Sequence, residues 1–254
     1  VVGLLTFAPM GAAAAADTTS SLTVTSVSGR DVELVLALDP LMKVTPDTAT
    51  KGTVEVQGVV VPAETSLEVP DTRKAVAILV LDSSRSMAGT RMKDARAAAE
   101  AFTTAVPDEV DVGLVTFSDI PDVKVPPTFD RKLVTDAVNA TKAKGFTALY
   151  DGIDAALKTV PADTKARLIV LSDGQDTVSK TDLASVTAAA VAAGVPVDVV
   201  ALNPNEKQAA ILQGISDASG GILRTAATSS EFSTAFAQAS KSFGAKVTLK
   251  ATLP

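Results

Sequence analysis

Two apolar runs that each end in an acid constrain the fold of this chain more than any other feature. The first is Ala75-Val76-Ala77-Ile78-Leu79-Val80-Leu81, followed by Asp82-Ser83-Ser84-Arg85-Ser86. The second, over 167–171, ends in Ile169-Val170-Leu171 and runs into Ser172-Asp173-Gly174. Neither alternates apolar and polar residues, as a strand with one wet face would. Both read as strands buried on two faces, the condition of an inner strand in a parallel sheet. Such a sheet needs helices above and below it. In an open α/β sheet, ligands bind outside the carboxyl ends of the strands. Asp82 and Asp173 are therefore expected on one functional edge.

The chain supplies the helices. From about 74 to 243 strand patterns alternate with helix patterns. A helix is expected over 91–106, a strand over 111–117 and a short strand over 123–125. Prolines at 121, 126 and 127 confine that short strand to a sheet edge. Helices follow over 130–140 and 149–160, the latter stopped by Pro161. The strand over 167–171 precedes a helix over 181–193, with Thr181 as its cap and Gly194 as its stop. A strand over 196–202, a helix over 206–219 ended by Gly220-Gly221, a strand over 222–225 and a helix over 230–243 complete the series. The fold class expected is α/β: a doubly wound, mainly parallel sheet flanked by helices. Hydrophobic residues are 46% of the 254, enough for a large core, while aromatics are 4%. Val, Leu, Ile and Ala must therefore fill most of that core.

The flanking segments differ. Leu22-Thr23-Val24-Thr25-Ser26-Val27, the looser 32–38 and Val54-Glu55-Val56-Gln57-Gly58-Val59-Val60-Val61 read as half-buried antiparallel strands. Gly29-Arg30-Asp31 is the expected hairpin turn. The last stretch, 245–253, alternates with the same period, so it is expected to return to the N-terminal sheet. This divides the chain into a β-rich unit over 17–73, an α/β domain over 74–243 and a closing strand over 244–254. The N-terminal segment and the closing strand together would form a small β-sandwich-like unit. Residues 1–16 are uncharged and apolar and end in Ala14-Ala15-Ala16 before Asp17. They read as the remnant of a secretory signal peptide. The expected location is extracellular, or at the cell surface and membrane-associated.

Composition removes several chemistries. The 254 residues contain no His and no Cys, which excludes His-dependent triads, thiol catalysis, disulfides and Fe–S clusters. A net charge of −6 without a basic cluster argues against a nucleic-acid partner. What remains at the strand ends is oxygen chemistry. Asp82, Ser84 and Ser86 offer oxygen ligands alone, a set suited to hard cations such as magnesium, manganese or calcium. Thr147 stands just ahead of the helix over 149–160, where its hydroxyl could cap that helix or ligate. Asp151 and Asp176 lie near it, and Asp119 and Asp122 follow the second strand as surface acids. Taken singly, Asp82, Ser84, Ser86, Thr147 and Asp173 could each cap a helix or turn.

Taken together, these residues resemble the von Willebrand factor type A domain. Its metal-ion-dependent adhesion site has an Asp-x-Ser-x-Ser loop, a distant Thr and a distant Asp. Asp82, Ser84 and Ser86 match the loop. Thr147 in Gly145-Phe146-Thr147-Ala148-Leu149-Tyr150-Asp151-Gly152 matches the Thr, and Asp173 in Leu171-Ser172-Asp173-Gly174-Gln175-Asp176-Thr177 matches the last Asp. The resemblance covers about 74–243. It implies a magnesium (or manganese or calcium) ion held by these five residues and completed by a Glu or Asp carboxylate of a partner protein. It also implies a cell-surface adhesion module, or one serving pilus assembly or secretion, without enzymatic activity. The alternative is a metal-dependent hydrolase or phosphoryl-transfer enzyme using Asp82. Against it, Ala88-Gly89-Thr90 lacks a phosphate-loop pattern, no His can serve as acid or base, and Ser84 stands where a second nucleophile-site acid would be needed. A chelatase or chaperone assembly is a third reading, opposed by the export signal.

Overall fold

The computed structural model describes residues 21–37, 52–56, 59–68, 75–172, 175–228 and 246–252, with isolated positions at 231, 234, 235 and 239. The chain divides into two compact units, one of 72–239 and one of 1–71 with 240–254. The 1–16 segment and most of the helix expected over 230–243 lie outside the described residues. No helix among the described residues is long and apolar enough to cross a membrane.

The smaller unit begins with β1 (Ser21–Ser28) and β2 (Asp31–Ala37). They join through a two-residue turn in which Gly29 takes a φ of 63°, the glycine-first geometry that matches strand twist in tight hairpins. β3 (Gly52–Val56) and β4 (Val59–Glu68) follow.

The larger unit opens with β5 (Ala75–Asp82), all eight residues of which are buried. The reason is topological. β5 pairs in parallel with β6 (Asp111–Phe117) on one edge and with β8 (Lys165–Ser172) on the other. Val76, Ile78 and Val80 fall in one core cluster with Leu149, Ile153, Val186, Leu212 and Ile215. These come from α3 (Leu149–Leu157), α4 (Leu183–Ala193) and α5 (Glu206–Ser219). Ala77, Leu79 and Leu81 alternate with them along the strand and are also buried, facing the opposite side of the sheet. Two further helices, α1 (Thr90–Ala105) and α2 (Arg131–Ala140), pack on each other and bury Phe102, Val134 and Val138. The six-stranded order is β10-β9-β8-β5-β6-β7, with β9 (Val197–Leu202) and β10 (Leu223–Ala226) parallel to β8. β7 (Pro121–Thr128) is the one antiparallel member, at the edge. The chain leaves β5 toward β6 and leaves β8 toward β9, in opposite directions. The carboxyl ends of β5 and β8 thus flank a topological switch point, where open α/β sheets bind ligands.

Two helix boundaries differ from the sequence expectation by more than one residue. α4 starts at Leu183 and is capped by Asp182, whose side chain accepts the Ser185 N–H. The expected cap, Thr181, instead commits its backbone N–H to Asp151. α3 ends at Leu157, short of Pro161. Finally, β11 (Lys246–Thr252) pairs antiparallel with β2 and β4 in the five-stranded order β1-β2-β11-β4-β3. The first half of β4 pairs with β3 and the second half with β11.

Candidate metal centre

β5 ends in a tight bend. The Ser84 N–H donates to Asp82 Oδ1 at 2.8 Å, folding the chain back at the strand end. Ser83 fixes the bend to β6, because both its N–H and its hydroxyl donate to the Phe117 carbonyl. A single 3₁₀ turn follows over Arg85–Met87, with Met87 buried beneath it. The Ser84 and Ser86 hydroxyls come to 2.9 Å of each other. Asp82 is fully buried. Its second carboxylate oxygen accepts the Ser172 hydroxyl at 2.6 Å, which ties the end of β5 to the end of β8 one residue before Asp173. α1 begins only at Thr90, with Gly89 as its cap and no side-chain capping bond. Asp82, Ser84 and Ser86 therefore do not serve as caps of α1.

Thr147 arrives on the loop between α2 and α3, which is laced to the first loop. Lys144 N–H donates to the Ser83 carbonyl at 2.7 Å, and Arg85 N–H to the Gly145 carbonyl at 3.1 Å. Gly145 has a φ of 70°, and a Cβ there would stand 2.2 Å from Asp119 Oδ2. Only glycine fits both constraints. Asp119 uses that proximity, its carboxylate accepting the Phe146 N–H at 2.9 Å. It organises the loop, a role beyond that of a surface acid, while Asp122 is paired with Lys124. Thr147 is buried. The cap position of α3 is Ala148, with no side-chain bond, so the Thr147 hydroxyl does not cap that helix. The hydroxyl makes no hydrogen bond among the described residues. Asp173 lies outside the described residues.

The loop after β8 closes over Thr147. The Thr147 N–H donates to Thr177 Oγ1 at 3.0 Å, and its carbonyl accepts the N–H of Thr177 at 2.8 Å and of Val178 at 3.3 Å. Asp151 and Asp176 complete the clasp. Asp151 accepts the Lys180 and Thr181 N–H groups at 3.0 and 2.8 Å. Asp176 accepts the Tyr150 N–H at 3.3 Å and the Ser179 hydroxyl at 2.5 Å. Burial alone would raise the Asp151 pKa, but the Lys180 and Thr181 donors outweigh it and hold the carboxyl below its usual value. A group with a lowered folded pKa stabilises the fold above its unfolded pKa and loses that contribution as pH falls through the folded value. Asp151→Asn is therefore expected to melt below wild type at neutral pH. The gap should close in acid, below the ordinary carboxylate pKa of about 3.9. Equal melting at neutral pH would leave the clasp without energetic weight.

Among the described residues no three acidic side chains gather around one point. The donors that do converge are one carboxylate and neutral hydroxyls. The two Asp82 oxygens accept the Ser84 N–H and the Ser172 hydroxyl, which orient the carboxylate. An all-oxygen set of this kind fits a hard cation that keeps part of its water shell. It does not fit the nitrogen and sulfur preferences of structural zinc.

Residues 77–175 match the family model of the von Willebrand factor type A domain. The chain is 35% identical over 121 residues to a UPF0353 protein of Mycolicibacterium paratuberculosis, covering 42% of this chain and 36% of that one. A UPF0353 protein of Mycolicibacterium gilvum is 28% identical over 204 residues, covering 67% and 61%. The chain thus spans 36% to 61% of the length of these curated relatives. Among solved structures, a von Willebrand factor type A protein from Catenulispora acidiphila superposes with a TM-score of 0.60 at 14% identity, over 94% of this chain and 65% of that one. The domain of the type V pili tip protein Mfa5 from Porphyromonas gingivalis gives 0.55 at 12% identity, over 68% and 96%. The proximal thread matrix protein 1 of the mussel byssus, with a zinc-occupied adhesion-site motif, gives 0.57 at 16% identity, over 74% and 50%. At such identities these neighbours carry the fold alone. The fold of the larger unit is that of a von Willebrand factor type A domain.

Proposed function

We propose that this chain is a non-enzymatic binding module that grips a partner protein through a divalent cation. Asp82, Ser84, Ser86, Thr147 and Asp173 hold the ion, magnesium by preference, with manganese or calcium as substitutes. They leave part of its coordination shell for water and for a Glu or Asp carboxylate of the partner. The observation that carries this reading is the gathering of the Ser84 and Ser86 hydroxyls, 2.9 Å apart, beside the buried Asp82, on a loop bound directly to the Thr147 loop. The ion supplies the positive charge that attracts the incoming carboxylate. The chain's own residues orient the hydroxyls and keep the carboxylate beneath them dry.

The wider role we assign is surface adhesion or pilus assembly by an exported protein. Support comes from the signal-peptide-like 1–16 segment and from a structural neighbour that is a pilus tip protein. A neighbour carrying a metal in its adhesion-site motif supports the ion. In the proposed organisation the 74–243 domain carries the site, and 17–73 with 244–254 form the accompanying β unit. The absence of His, Cys and a phosphate loop from the 254 residues supports a holding role for Asp82. Thermal melting tests the site directly. Magnesium, manganese or calcium should raise the melting temperature, and EDTA should return it to the metal-free value. Indifference to all three ions would reject the reading.

A further inference from the structure

The loops that carry the candidate ligands, and the β6–β7 loop hydrogen-bonded to one of them, also carry large apolar side chains in solvent. Ile120 follows β6 and is 69% exposed, Phe146 directly precedes Thr147 and is 64% exposed, and Val178 is 39% exposed. Hydrogen bonds hold all three close to the site in the chain. Phe146 N–H is bound to Asp119, next to Ile120, and Val178 N–H to the Thr147 carbonyl. Ser118, two residues before Ile120, accepts the Ala148 N–H. These are not loose loop tips. Their backbones are fixed, so little ordering entropy remains to oppose binding. A bulky apolar residue left in water on a fixed loop beside a ligand site is the usual composition of a recognition surface. Two cations stand on the same loops. Arg85 and Lys144 are exposed, and neither forms an ion pair among the described residues. Their charge complements an acidic partner.

We infer that Ile120, Phe146 and Val178 form an apolar collar that selects among acidic partners. The partner segment it fits presents its metal-directed Glu or Asp beside a bulky apolar residue such as Phe, Leu or Ile. This rests on the ion-bridged reading above and narrows it. A carboxylate alone would meet the ion, and its apolar neighbour would be buried against the collar. Arg85 and Lys144 favour further acids in the segment and oppose cationic ones.

A synthetic peptide array tests this. Each peptide carries a single Glu or Asp, with the neighbouring positions varied over apolar, hydroxyl and cationic residues. Binding to the whole chain is read in magnesium and in EDTA. Burying one such apolar side chain is expected to favour Phe, Leu or Ile neighbours over Ser by about tenfold or more. Phe146→Ser and Ile120→Ser should each erase most of that preference while retaining the magnesium-induced rise in melting temperature. Phe129→Ser is the control. Phe129 is 63% exposed but follows the end of β7 that pairs with the start of β6, at the opposite edge of the sheet. It should leave the preference unchanged. Magnesium-dependent binding of acidic peptides with no apolar preference, or a preference that survives Phe146→Ser and Ile120→Ser, overturns the collar alone. Loss of any magnesium-dependent binding of acidic peptides overturns the ion-bridged reading, and the collar with it.

Discussion

Asp82→Ala is expected to abolish the magnesium response of the protein while the sheet around it stays folded. Asp82 is the one carboxylate among the described candidate ligands, and it is fully buried. An ion present at a hundredfold excess over its Kd stabilises the folded state by about 2.7 kcal/mol. For a domain of about 150–250 residues each kcal/mol moves the melting temperature by about 2–4 °C. Wild type should therefore gain about 5–11 °C on saturation with magnesium, and the variant none. The metal-free variant carries its own cost. Removing the carboxylate deprives the Ser84 N–H and the Ser172 hydroxyl of their acceptor, and a stranded buried donor costs about 1–3 kcal/mol. Asp82→Asn separates the two effects. It keeps the shape and one acceptor oxygen while removing the negative charge. It should melt close to metal-free wild type and show no rise with magnesium. A magnesium response in Asp82→Asn equal to that of wild type would refute the assignment of Asp82.

How much of this was readable from the sequence depends on the range of the interaction. β5 was legible because a strand buried on both faces cannot alternate, and its uninterrupted apolar run says so. β7 was legible as an edge through its prolines, which cannot donate to a second neighbour. The strand is nonetheless longer than expected, Pro121–Thr128. Gly113 explains the extension. The β6–β7 register shifts across it, between Val112 and Leu114, and again between Leu114 and Val115, and a Cβ on Gly113 would approach the Pro127 nitrogen to 3.3 Å. The bulge lets a proline-containing strand continue. The positions of Asp82, Ser84, Ser86 and Thr147 followed from their place just after a strand or just before a helix. The roles of Asp119, Asp151 and Asp176 did not. Apart from the Ser179 hydroxyl on Asp176, their partners lie 26 to 30 residues away in the chain, and no periodicity encodes such a pairing. The one local signal was Gly145, whose backbone conformation and missing side chain make room for Asp119.

The most hidden interaction of this kind predicts the largest loss of stability. Asp198 looks in the sequence like an interruption of an apolar stretch. In the fold it is the second residue of β9, a strand buried along its whole length. It is fully buried, with Arg167 Nη1 at 2.8 Å from β8 and the Ile222 N–H at 2.9 Å from the segment entering β10. Burial pushes the Arg224 pKa down, and Asp198 pulls it back up. The carboxylate therefore joins three adjacent strands electrostatically at one point. Breaking a buried pair by removing one partner costs about 3–5 kcal/mol, because the other charge remains desolvated. Asp198→Ala should accordingly lower the melting temperature by about 6–20 °C. The double substitution Asp198→Ala with Arg167→Met should recover part of that loss, since it removes one of the two cations left without a counter-charge and puts apolar surface in its place. Asp198 sits near the amino end of β9, away from the carboxyl ends that carry the candidate site. Whatever the variant loses in stability, its magnesium-induced rise in melting temperature should persist. A cost under about 1 kcal/mol, the range of an exposed ion pair, would show that the Arg167–Asp198 pair is solvated in solution.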